Sequence, residues 1–103
     1  MQEKCIEIHL RKRVKKLGGL CLKIVSPNYA GVPDRLIILP DGSMFFVELK
    51  APGKKPRQIQ KSVMRDLYRH RVRVATIDNL QTANNFLERI SKCNSNRMST
   101  KRR

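Results

Sequence analysis

The chain has 103 residues, enough for one folded domain and too few for two. With 40% hydrophobic residues and no Trp a modest core is feasible, while 23 Lys and Arg against 8 Asp and Glu give a net charge of +15. That field, with no apolar run near ~18 residues and no amphipathic anchor or lipidation signal, argues against a membrane protein and for a polyanionic partner, most commonly nucleic acid.

From Glu3 to about Leu17, Ile6, Leu10, Val14 and Leu17 recur at helical spacing, and Gly18-Gly19 supplies the stop. Glu7 lies on the edge of that apolar stripe, whereas Arg11, Lys12, Lys15 and Lys16 face largely away. An acid on the inward side of a basic helix needs a partner, and two are open: Arg11 one turn on, or a site beneath the helix. Leu20 to Val25 reads as a strand, and the loop from Ser26 to Pro33 delivers the chain to Asp34. Arg35-Leu36-Ile37-Ile38-Leu39 and Ser43-Met44-Phe45-Phe46-Val47-Glu48-Leu49-Lys50 then form a hairpin around Pro40-Asp41-Gly42. Pro sets φ at the first turn position and Gly accepts the left-handed conformation at the third, so Leu39 pairs with Ser43.

Ala51-Pro52-Gly53-Lys54-Lys55-Pro56 is a rigid basic turn, and a second helix starts near Arg57. Arg57, Lys61, Arg65 and Arg69 repeat every four residues along it as one positive ridge, joined by Lys54 and Lys55 from the turn. Ile59, Val63, Met64 and Leu67 take the other side, and Gln60 points inward with them, either towards a site or to nearby backbone. Val72 to Ile77 alternates as a fourth strand, and Asp78 or Asn79 caps a last helix striped by Leu80, Ala83, Leu87 and Ile90 with Phe86 beside it. The order αβββαβα specifies an α/β sandwich with a mixed four-stranded sheet flanked by helices, because the hairpin is antiparallel and the helical crossover permits parallel pairing. Residues 1–91 form the single domain, and 92–103 read as a basic, flexible C-terminal tail. Lys92, Arg97, Lys101, Arg102 and Arg103 lie there without an acid, so residues 1–91 still carry +10.

Cys5, Cys21 and Cys93 are odd in number, without a Cys-x-x-Cys pair or a signal-peptide pattern, which points to a reducing, cytoplasmic setting. His9 and His70 are isolated, so a zinc site is not expected, and no Gly-rich phosphate loop or nucleophile elbow is present.

The chemistry follows from the hairpin register. Counting outward from Leu39 and Ser43 sets Asp34 opposite Glu48, with Cβ atoms about 4.5–5.5 Å apart, and strand periodicity puts Lys50 on the face of Glu48. Opposed carboxylates repel unless a cation bridges them, and Mg²⁺ is the hard, oxygen-seeking ion held by one or two carboxylates plus waters and substrate phosphates. Carboxylates, a metal and a lysine in a cationic domain point to phosphodiester hydrolysis, with Lys50 orienting or deprotonating water or acting as a cation. The rival reading is a non-catalytic basic nucleic-acid-binding module, which accounts for the charge but not for the opposed acids.

Pro33-Asp34 followed after thirteen residues by Glu48-Leu49-Lys50 resembles the restriction-endonuclease-like nuclease signature. More narrowly, Gly31-Val32-Pro33-Asp34, the run Glu48 to Lys54 and the downstream Gln60 resemble the virus-type replication-repair nuclease (VRR-NUC) domain over roughly residues 3–90. The resemblance implies that Glu7, Asp34, Glu48 and the Leu49 carbonyl ligate Mg²⁺ or Mn²⁺, that Lys50 is the catalytic lysine, and that Gln60 supports the site or the nucleophilic water. Glu3, one turn before Glu7, is the competing helical acid. Small members of this family, often viral, are similar to Holliday-junction resolvases in cutting branched DNA as homodimers, which makes branched DNA and a second copy of the chain the implied partners and a phage-infected bacterial host the implied setting.

Overall fold

The computed structural model describes residues 3–101, with side chains through Cys93. The elements are α1 (Glu3–Lys16), β1 (Leu20–Lys23), β2 (Arg35–Ile38), β3 (Met44–Leu49), α2 (Gln58–Arg69), β4 (Val74–Ile77) and α3 (Leu80–Lys101). They form one four-stranded sheet in the order β1-β2-β3-β4, antiparallel except for the parallel β3–β4 pair that the α2 crossover allows. The expected αβββαβα sandwich is therefore the architecture of the chain.

The hairpin forms in the expected register. The Leu39 N–H donates to the Ser43 carbonyl at 2.9 Å, and the ladder then pairs Ile37 with Phe45 and Arg35 with Val47. Gly42 sits at φ +88°, where a side chain would strain the backbone, and the buried Asp41 accepts from the Ser43 N–H and hydroxyl at 2.9 and 2.7 Å. Carried one step beyond the last ladder pair, the same register sets Asp34 opposite Glu48.

Strand parity divides the molecule into two layers. Ile37, Leu39, Phe45, Val47, Leu49 and Ile77 face α1 and α3, and with Ile6, Leu10, Val14, Ala83, Phe86, Leu87 and Ile90 they make one sealed core. The even-numbered strand positions face α2, which lies over the β3–β4 side: the Thr76 hydroxyl reaches the Met64 sulfur at 3.7 Å. Gly31, at φ +90°, lets the loop before β2 pass against α2, since a Cβ there would meet the Ile59 carbonyl oxygen at 2.8 Å.

Two boundaries differ from the sequence reading. The fourth strand begins at Val74 instead of Val72, because Arg71 and Val72 are used to terminate α2. The last helix, capped by the Asn79 carboxamide oxygen on the Thr82 N–H at 2.8 Å, runs to Lys101 instead of ending near residue 91. No Gly or Pro interrupts residues 91–101, so the backbone ladder continues after the apolar stripe stops. The expectation of a flexible basic tail bears mainly on side chains beyond residue 93, which lie outside those described.

Candidate nuclease site

The site gathers where the N-terminal end of β2 meets the C-terminal end of β3. Glu48, only 4% exposed, is the last even-numbered residue of β3, so parity turns it away from the main core and towards α2. Its Oε2 atom receives the Lys50 ammonium at 3.4 Å and the Gln60 amide Nε2 at 2.9 Å. Gln60 is oriented from its other end, because its Oε1 accepts the Arg57 N–H at 2.8 Å and a backbone N–H can only donate. The two possibilities open for Gln60 in the sequence are thus met together: one amide closes the first turn of α2 and aims a donor at the buried acid.

Asp34 stands on the other side of the same strand pair. Its Oδ1 accepts the Leu49 N–H at 3.2 Å and its Oδ2 meets the Arg35 guanidinium at 3.1 Å. Burial holds the Glu48 carboxyl above its ordinary value; the facing Asp34 charge raises it further, and Lys50 pulls it back. A buried carboxyl raised by burial and by a facing negative charge is the electrostatic signature of a place that would gain from a cation.

Glu7 is arranged differently. Its Oε2 lies 3.8 Å from the Arg11 Nε and 3.7 Å from the Arg35 Nε, so the helical acid meets both its own helix and the sheet. Arg35 shares the parity of Ile37 and Leu39 and therefore extends from the end of β2 on the α1 side, where its buried Nε has no hydrogen-bond partner among the described residues and only the looser Glu7 contact. The structure brings Asp34, Glu48, Leu49, Lys50 and Gln60 together, and links Glu7 to Asp34 through the Arg35 guanidinium that contacts both. Glu3, the competing helical acid, is exposed. Among the described residues no group of three or more His, Cys, Asp or Glu side chains is placed to hold a metal ion. The carboxylates of Asp34 and Glu48 are oxygen donors whose hardness suits Mg²⁺ or Mn²⁺ with waters completing the sphere, and the Leu49 carbonyl is the further donor that the resemblance implies.

Arg35 is the residue sequence reasoning missed, although an arginine at a core-parity position of a strand, next to Asp34, was the available signal. The ridge positions Arg57, Lys61, Arg65 and Arg69, with Lys54 and Lys55, are all exposed along α2 and its entry turn.

Beside the site lies an apolar surface that the sequence could not separate from core. Leu20, Ile38 and Met44 form one row across β1, β2 and β3, and Leu22, Leu36 and Phe46 form a second. These even-parity residues face away from the main core, with Leu20 56%, Leu22 40% and Met44 50% exposed.

No family model matches the chain. A solved structure described as a VRR_NUC domain superposes with a TM-score of 0.78 at 28% identity, covering 84% of this chain and 94% of that one. The protein named "Putative nuclease p44" of Acyrthosiphon pisum secondary endosymbiont phage 1 is 53% identical over 60 residues, which is 58% of this chain and 64% of the relative's length.

Proposed function

We propose that this chain, whose fold superposes on a VRR_NUC domain, is a metal-dependent endonuclease hydrolysing phosphodiester bonds in DNA, with branched structures such as Holliday junctions as its substrates. The observation that carries the proposal is the buried Glu48 carboxylate opposed to Asp34 and gripped by Lys50 and Gln60. A plain binding module gains nothing from burying an acid against another acid, which costs stability unless a cation is recruited.

Asp34, Glu48 and the Leu49 carbonyl would hold the ion, Mg²⁺ or Mn²⁺, which supplies Lewis acidity at the scissile phosphate and an activated water. Lys50 lies against Glu48 and so sits where it can orient that water or stabilise the charge building on the phosphate oxygens. Gln60 is a positioning residue, keeping the Glu48 carboxylate turned towards the site. Glu7 belongs to the proposal as the acid that holds Arg35, which in turn holds Asp34. The ridge of Lys54, Lys55, Arg57, Lys61, Arg65 and Arg69 supplies phosphate contacts that fix register without reading sequence.

The half-covered rows of Leu20, Leu22, Met44, Ile38, Leu36 and Phe46 favour a second copy of the chain as their cover, giving a homodimer with two sites for two strands. No helix among the described residues is long and apolar enough to cross a membrane, and a phage relative is consistent with action in the cytoplasm of a bacterial host.

The test is a panel of labelled junction, flap, nicked, single-stranded and duplex DNA, incubated with Mg²⁺, Mn²⁺ or EDTA, beside a measurement of mass in solution. Cleavage that needs the metal, favours branched substrates and is absent from Asp34→Asn supports the proposal. Wild-type protein that binds every substrate and cuts none with either ion returns the chain to the class of basic binding modules.

A further inference from the structure

Away from the acids, the far ends of β3 and β4 border a cavity of about 590 Å³ with an apolar floor of Phe45, Phe86 and Ile90. The two rings meet edge to face at 5.8 Å, and the Arg73 guanidinium lies 5.1 Å from the Phe45 ring centre. Arg71, Arg73 and Arg89 rim the opening, no acid among the described residues lines it, and Tyr68 stands at its edge with 78% of its surface exposed. Tyr68 also borders the neighbouring groove of Lys61, Arg65 and Arg69, so the cavity is continuous with the cationic ridge of α2.

Arg71 adds an independent observation. It ends α2 in the left-handed conformation, φ 64°, the only non-glycine among the described residues to do so. The Arg71 N–H donates to the Tyr68 carbonyl and the Val72 N–H to the Leu67 carbonyl, both at 2.9 Å, which is the helix stop that glycine ordinarily supplies. Holding a branched-chain-free but bulky cation in glycine's place costs stability, and such strain persists where the side chain is wanted for something else.

We infer that this cavity is a subsite for an unpaired nucleotide, whose base lies against Tyr68 over the apolar floor while its flanking phosphates meet Arg71, Arg73 and Arg89. The inference rests on the nucleic-acid reading above and deepens it: among branched substrates it favours those with an unpaired strand beside the cleaved bond, such as flaps, over fully paired junctions. Every base offers a π-face to an aromatic, and arginines without competing acids select the anionic backbone. From Gln60 to Tyr68 the helix rises about 12 Å, and from Glu48 back to Phe45 the strand spans about 10 Å. Both lengths place the subsite about 10–12 Å from the acids, within a few nucleotides along one strand.

The test uses the full chain in EDTA, so that binding is read without cleavage, and a single-stranded oligodeoxynucleotide carrying one 2-aminopurine. Stacking changes that base's emission. Tyr68→Ala is expected to weaken binding roughly 5- to 150-fold and to lose the emission change, with the salt dependence unaltered because no charge is removed. Tyr68→Phe keeps both signals. Arg73→Gln lowers the magnitude of the salt slope by about 0.7. Arg71→Gly raises the melting temperature while weakening binding, opposite signs that a purely structural arginine would not give. Tyr68→Ala binding and emitting like wild type, or wild type showing no emission change, overturns the subsite. Failure of the nuclease reading looks different: the emission change persists in wild-type protein that never cuts with metal.

Discussion

The two faces of the sheet contrast sharply. The face towards α1 and α3 is closed, with Ile6, Leu10, Val14, Ile37 and Val47 entirely buried. The face towards α2 is half covered, and it carries the buried acid Glu48, its partners Lys50 and Gln60, and two partly exposed apolar rows. The difference teaches that the closed layer supplies the stability that lets the open layer keep groups costly to folding. A carboxylate buried opposite another carboxylate, and leucines left in water, persist only on a scaffold whose other side is already well packed.

The sharpest way to break the contrast is to remove the charged groups of the open layer. Asp34→Asn and Lys50→Ala should each lower metal-dependent cleavage by about 10²–10⁴-fold while DNA affinity in EDTA stays near wild type, measured by single-turnover cutting and by titration. On the closed layer, Leu10→Ala should cost about 2–5 kcal/mol in urea unfolding and leave the cleavage rate of the folded fraction unchanged. If the core change lowered the rate per folded molecule as much as Asp34→Asn does, the division of labour between the faces would be wrong.

A finer cut separates the sheet acid Glu48 from the helical acid Glu7. Gln60→Leu should lower cleavage about 10–100-fold through the misaimed Glu48, whereas Glu7→Gln should cost about 1 kcal/mol or less in stability and little in rate. A Glu7→Gln protein as inactive as Asp34→Asn would place that acid among the metal ligands. Leu22→Ser should shift the mass in solution from dimer to monomer, and an unchanged mass would leave the apolar rows with another cover.

The smallest expected effect is electrostatic. The Glu48 carboxyl is raised above its ordinary value, so the folded chain holds that proton more tightly than the unfolded chain. Its contribution to stability is present below the ordinary carboxylate range and is lost as pH rises through the raised value. In thermal melts without divalent ions, Glu48→Gln should therefore gain on wild type as pH climbs across that window. A difference that is flat with pH would mean that Glu48 is not perturbed.

Much of this was legible before any coordinates. The Pro-Asp-Gly turn determined the pairing of Leu39 with Ser43, and a two-residue period carried that register outward to Asp34 and Glu48, because both rules are local. The helical stripes told which residues form the sealed core for the same reason. Arg35 was legible only in part: its core-parity position beside Asp34 showed in the sequence, but its partner depends on α1 bringing Glu7 across the end of β2, a contact between segments far apart in the chain. The cover of the sheet and the arginine-rimmed cavity were not legible. Apolar residues look alike whether they are buried or bare, and only the placement of α2 over β3 and β4, away from β1, decided that Leu20, Leu22 and Met44 would meet solvent while Ile37 and Val47 would not. Sequence periodicity specifies which side of an element is apolar; the packing of whole elements specifies which apolar sides find a partner.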